Sequence, residues 1–297
     1  MEQTGVVHEK KSVTGFLWLL AVLYFFVVVG NSFAPQIITR DMFNFGSILL
    51  PFIFAIVHGK MRYGLKNMAV FAVISLIVGN FYENLSVETT FPFGNYYYSD
   101  NLGPKIWNVP IIIGFAYFSI GYLAWIMAQS LIGALAPVLK KTNIFFVPVV
   151  AAFLVASWDF SFDPDSSTIN GDWVWREGGG YFGVPFSNFT GWYLCVYTFF
   201  QIFAWYISRQ PESDFKNMPA ANKTYWYQAA IFYAIYAIDF ILGKYTAPIY
   251  NVTDPAGKTW STGDIHDTMA IISIFTMIFF SILSLIIVKN NEKIPEG

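Results

Sequence analysis

The chain has 297 residues, of which 56% are hydrophobic and only 12% charged, with a mean hydropathy of +0.49. A soluble domain carries roughly 25% charged residues, so these figures exclude an ordinary water-soluble globule. The formal net charge of -2 excludes the basic surface that a nucleic-acid partner demands.

The apolar residues come in long runs, each near the ~20 residues that cross a ~30 Å hydrocarbon core at ~1.5 Å per residue. In chain order they predict spans at 15–33, 43–58, 65–85, 107–135, 143–163, 189–208, 226–243 and 268–288. The second is short, and the fourth is long enough to tilt strongly. The expected fold is all-α: a polytopic integral membrane helical bundle of about eight transmembrane helices, forming one transmembrane domain over residues 1–297. A polar N-terminal stretch and the lack of a small-residue cleavage site after the first run predict no signal peptide. With these spans, twelve of the 17 Lys and Arg fall at the two ends and in the even-numbered connections, and five in the odd-numbered ones. Positive charge collects on the cytoplasmic side, so both termini are expected in the cytoplasm and the bundle in the cell membrane.

Two long connections, about 86–106 and 164–188, then fall on the non-cytoplasmic side. Both are rich in Gly, Pro, Tyr, Trp and Asp. Connections of this length inside a compact domain are functional or disordered, and aromatic content argues against disorder. The two halves of the chain do not resemble each other, as they would in a transporter built from inverted repeats.

An ionisable residue inside a span costs at least ~2.5–3.5 kcal/mol on insertion scales and therefore needs a reason. Glu83 lies near the outer end of the third predicted span, beside Asn80 and Asn84. Asp159 and Asp163 are four apart and share a helical face at the outer end of the fifth. Asp239 lies deeper, three residues beyond Tyr236, where a Tyr–Asp bond between helices would also explain it. In an apolar setting, burial and a neighbouring carboxylate both disfavour the charged form. A proton donor then stands beside a proton acceptor, which suits protonating an alkene and handling water. Asp163-Pro164-Asp165 adds a third acid at the same helix end; it reads equally well as a turn at which Pro164 stops the helix.

Trp158, Trp173, Trp175, Tyr96, Tyr98 and Tyr181 fall in or beside the two long connections. Such residues form ordinary belts at the lipid headgroups. Their π-faces also stabilise a desolvated cation by about 2 kcal/mol, as a carbocation intermediate requires. The single cysteine, Cys195, allows no intrachain disulfide, and His8, His58 and His266 lack metal-ligand spacing. No metal and no cofactor are expected.

The stretch Glu83-Asn-Leu-Ser-Val-Glu-Thr-Thr-Phe-Pro-Phe-Gly-Asn-Tyr-Tyr-Tyr98, then Leu102-Gly103 and Val109-Pro110, resembles a first motif of a membrane carotenoid-biosynthesis family. That family contains the carotenoid 1,2-hydratases of the bisanhydrobacterioruberin hydratase and γ-carotene 1'-hydroxylase type. Asp159-Phe-Ser-Phe-Asp-Pro164, Gly171-Asp-Trp-Val-Trp175, Tyr181-Phe-Gly-Val-Pro185 and Asn188-Phe-Thr-Gly-Trp192 resemble its second motif. The resemblance covers roughly 80–195. Ser86 and Thr90 stand where the family's pattern has glycines, which puts the substrate's identity in question more than the reaction type.

The resemblance implies hydration of the terminal C1=C2 double bond of an acyclic (ψ) end group on a long polyene, without a redox cofactor. Protonation at the less substituted carbon leaves a tertiary cation, which water captures. Asp159 or Asp163 is expected to donate the proton and the other to position or deprotonate water, with Glu83 tuning the pair or acting as the base. Trp158, Trp173, Trp175, Tyr96, Tyr98, Tyr181, Asn188 and Asp239 are expected to line the substrate. The partners are a lipophilic polyene, water and membrane lipid, while nothing fixes the oligomeric state. Two alternatives stay open: a proton-initiated carotenoid or terpene cyclase that excludes water, and a membrane transporter or lipid-binding protein.

Overall fold

A computed structural model describes residues 2–216, 218 and 221–296, without the side chains of residues 2–11 and Asp41. Eight α-helices follow in order: α1 (Glu2–Phe33), α2 (Arg40–Thr89), α3 (Ile111–Leu131), α4 (Asn143–Asp163), α5 (Phe186–Ser208), α6 (Lys223–Thr246), α7 (Thr262–Ser273) and α8 (Phe279–Asn290). A π-helical stretch, Ile274–Ile278, joins α7 to α8 without a break. Among the described residues, six segments are long and apolar enough to cross a membrane: Ser12–Phe33, Met42–Thr89, Ile111–Leu131, Asn143–Ile169, Lys223–Thr246 and Thr262–Asn290.

Several expected boundaries are corrected. The second and third predicted spans belong to the single 50-residue α2, which breaks only at Gly64 (φ 72°, ψ 163°). That left-handed φ is open to glycine at little steric cost, so one residue makes the turn and the second span is not short. The fourth predicted span ends earlier: α3 has 21 residues and needs no strong tilt to fit the bilayer. Pro164 does not stop α4. The helix continues as a π-helical turn, Pro164–Ile169, in which the missing proline N–H is accommodated by wider hydrogen bonding. The bundle is helical as expected, and among the described residues three short two-stranded antiparallel sheets decorate its connections: β1 (Tyr96–Tyr98) with β4 (Trp173–Trp175), β2 (Lys105–Ile106) with β3 (Val109–Pro110), and β5 (Asn251–Thr253) with β6 (Thr259–Ser261).

Helix α3 forms the axis of the bundle. Every residue from Tyr117 to Ser130 is buried, which explains its apolarity all round. It packs against α2, α4, α6 and α8. The outer helices bury only one side and expose Phe26, Ile77 and Phe275 on the other, as lipid contact requires. The Gln228 amide donates to the Thr14 carbonyl, and the Lys223 N–H donates to the Pro295 carbonyl. These bonds place the start of the first apolar run and the C-terminal tail beside the first turns of α6.

Candidate active site

The two long connections come together through β1 and β4. Tyr96 pairs with Trp175 and Tyr98 with Trp173, with Tyr97 opposite Val174. Side chains alternate across a strand, so both tyrosines and both tryptophans turn into the protein. Tyr97 turns out, beneath the Arg176 guanidinium at 4.6 Å from its ring centroid. Ring centroids lie 4.8 Å apart for Tyr96–Trp175 and 6.0 Å for Tyr98–Trp173, distances at which cross-strand aromatic pairs stabilise a sheet. The bonds Ser99 N–H to Asp172 O (3.0 Å) and Arg176 N–H to Asn95 O (2.9 Å) extend the ladder at both ends. Gly191 on α5 lets that helix approach closely, since a Cβ there would lie 2.9 Å from the Pro92 carbonyl.

Two carboxylate clusters lie under this sheet. The first is Glu83, 2% exposed, which accepts hydrogen bonds from the hydroxyls of Tyr96, Tyr98 (2.9 Å) and Tyr117 (2.6 Å). Burial, and then the nearby Glu83 charge, push the Tyr96 and Tyr98 hydroxyls well above the ordinary phenol range. They therefore remain donors. Tyr117, in the middle of an apolar run, carries no sequence signal for this role. Its ring stacks on Trp192 at 4.5 Å.

The second cluster is Asp159 and Asp163, 1% and 0% exposed on one face of α4. The Asn188 side-chain amide, in the first turn of α5, donates to Asp159 Oδ2 (3.2 Å) and to Asp163 Oδ2. A primary amide has two N–H donors, so one residue bridges both acids. Trp173 Nε1 donates to Asp163 Oδ1 at 2.7 Å. Asp159 Oδ1 and the indole nitrogens of Trp158 and Trp175 are buried without a hydrogen-bond partner among the described residues.

Beside this cluster lies a cavity of about 980 Å³ between α1, α2, α3, α4, α6 and α7, at the upper end of the usual ~300–1,000 Å³ for ligand sites. Trp158, Phe162, Trp173, Tyr236 and Asp239 line it, together with Ile113, Ala116 and Ile120 of α3. Asp159, Asp163 and Glu83 do not; they sit behind the aromatic wall. Trp158 stacks on Phe162 at 4.3 Å and meets Tyr236 edge-on at 6.4 Å. Asp239 makes no side-chain hydrogen bond among the described residues, so a Tyr–Asp bond does not account for it. Tyr181 lies elsewhere: its hydroxyl donates to the Phe160 carbonyl (2.8 Å) and its ring packs on Phe160 and Phe189.

The polar part of the cavity lining gathers residues to which sequence reasoning gave no place in the site, although Asp165 stood out there as a third acid. Asp165, Asp172, Arg40 and His266 all line it. Burial raises the Asp172 carboxyl above its usual range against the opposing pull of the Arg40 guanidinium. Among the described residues, no group of three or more His, Cys, Asp or Glu is placed to hold a metal ion.

An aromatic-walled cavity backed by buried acids thus lies inside a bundle of long apolar helices, the architecture of a membrane protein. The chain belongs to the carotenoid biosynthesis protein family, whose pattern matches residues 43–251. It is also 28% identical over 113 residues to the bisanhydrobacterioruberin hydratase of Haloarcula japonica. That match covers 38% of this chain and 36% of the relative's length. No solved structure matches the chain.

Proposed function

We propose that this protein is a cofactor-independent carotenoid hydratase that adds water across the terminal C1=C2 bond of an acyclic end group. The observation that carries the reading is the Asp159–Asp163 pair, joined by Asn188 one side chain behind the Trp158 and Trp173 wall of a large cavity. Two carboxyls this close and away from water share a proton more readily than they bear two charges. On entry of the polyene, displacement of Trp158 or Trp173 opens the pair to the substrate. One carboxyl protonates C2, and the tertiary cation forms against the indole and phenol faces. Water captures it at C1. Glu83 and its three phenols fix the sheet that carries Trp173 and tune the acid pair.

The family and the distant relative support a carotenoid as substrate. Counting α2 as two spans across Gly64, and α7 with α8 as one, the same reading has eight crossings of the cytoplasmic membrane. All belong to one transmembrane domain with both termini in the cytoplasm, and the polyene enters sideways from the bilayer.

The test is expression in a bacterial host that accumulates lycopene, with the pigments analysed by mass. A gain of one water per modified end, lost in Asp159→Asn or Asp163→Asn, supports the reading. A product of unchanged mass with shortened conjugation means a cyclase. Unchanged pigments, with lycopene and with longer acyclic carotenoids, mean that the protein is no hydratase and point to transport or binding.

A further inference from the structure

Hydration needs two groups in different places: an acid at the carbon that takes the proton, and a base near the carbon that takes the water. The Asp159–Asp163 pair serves the first need. On the cavity surface itself, His266 of α7 lies with Nε2 3.4 Å from Asp165 Oδ1. Both side chains are largely buried, at 10% and 34% exposure. The ring packs on Gly243, where a Cβ would sit 3.3 Å from His266 Cδ2. Gly243 is one helical turn from Asp239, and both Asp239 and His266 line the cavity. Asp165 sits in the first turn of the π-helical stretch Pro164–Ile169, on this wall of the cavity.

We propose, building on the hydratase reading, that His266 is the base of the water-capture step and that Asp165 is its positioning residue. A carboxylate facing Nε2 favours the tautomer with its proton there, which leaves the Nδ1 lone pair as acceptor. The separation is long for a hydrogen bond, as catalytic contacts often are without substrate. In the step, the water oxygen forms a bond to the C1 cation while Nδ1 takes one water proton. One π bond and one O–H bond break, and one C–H and one C–O bond form. The proton on His266 returns through water to the carboxylate that protonated C2, and no electrons leave the substrate.

The experiment uses membranes containing the full chain, an acyclic carotenoid and D2O, with mass analysis of both alcohol and recovered polyene. The wild-type protein forms the tertiary alcohol. His266→Gln forms it about 100-fold more slowly or less, the scale of a lost general base, yet still washes deuterium into the recovered polyene. Protonation and its reversal need only the acid pair. Asp165→Asn behaves likewise with a smaller loss, and Asp165→Glu restores part of the rate. Should His266→Gln fail to accumulate as a monodisperse protein, the Asp165 variants decide by the same two readouts. Retained hydration in these variants overturns the assignment, and so does joint loss of hydration and exchange. Wild-type membranes that neither hydrate nor exchange any acyclic carotenoid overturn the hydratase reading itself, a different failure.

Discussion

Trp173 donates its indole N–H to Asp163 Oδ1 at 2.7 Å and also lines the cavity, so one side chain links the acid pair to that space. Tyr98 meets the same ring across the β1–β4 sheet. Any shift of the sheet therefore reaches Asp163 through one residue.

Replacing Trp173 by Phe keeps an aromatic wall but removes that donor. A buried acceptor left unpaired costs about 1–3 kcal/mol. Trp173→Phe is expected to lower the thermal midpoint in detergent by several degrees and to slow hydration. Trp173→Tyr, whose hydroxyl sits elsewhere, should not rescue either effect. An unchanged midpoint would mean that the indole–carboxylate bond contributes nothing to stability.

Glu83 accepts from three phenols. An amide in its place has one acceptor oxygen and two donors, so at least one phenol loses its partner in Glu83→Gln. The expected loss is again about 1–3 kcal/mol, against a smaller one for Tyr117→Phe. The same phenols set an alkaline limit. Their folded-state pKa values are raised, by burial first and then by Glu83, so the stability they contribute is fully present below the unfolded phenol pKa of about 10. It is lost as pH rises above that value. Melting curves should be level in this respect up to about pH 10 and fall beyond it, more shallowly in a Tyr96→Phe, Tyr98→Phe double variant.

Thr90 caps α2 at φ 67°, a left-handed conformation that burdens a β-branched residue by roughly 1–2 kcal/mol. A glycine would adopt this conformation without that burden. Thr90→Gly should raise the thermal midpoint by a few degrees, partly offset by glycine's freedom in the unfolded chain. Hydration should stay as in the wild type. A lower midpoint would show that the Thr90 side chain makes up for its backbone strain.

The helical runs were readable because they combine length, apolarity and few charges, which only a bilayer demands. Gly64 was not, because the charged stretch around it reads as a loop while the helix persists to the residue before it. The pairing of Tyr96–Tyr98 with Trp173–Trp175 was also hidden: three residues are too few for a period of two to stand out. The four-residue spacing of Asp159 and Asp163 announced their shared face. Their bridge to Asn188, and the third phenol from Tyr117, depend on how helices pack, which no local pattern encodes. His266 and Asp165, far apart in the chain, likewise meet only through the packing of α7 against the π-helical turn.

The cavity makes the last prediction. Ala116 lines it from α3, the rigid axis of the bundle. A phenyl ring at this half-buried, cavity-lining position takes up space that a polyene would occupy on the proposed reading. Ala116→Phe is therefore expected to leave the thermal midpoint near the wild-type value. It should reduce conversion of an acyclic carotenoid at least ~10-fold, because a reacting bond held away from its acid loses most of its proximity advantage. Pigment mass analysis beside a melting curve separates the two effects. Conversion that survives in a well-folded Ala116→Phe protein would place the substrate outside this cavity, and with it the roles assigned to Trp158, Trp173 and Asp239.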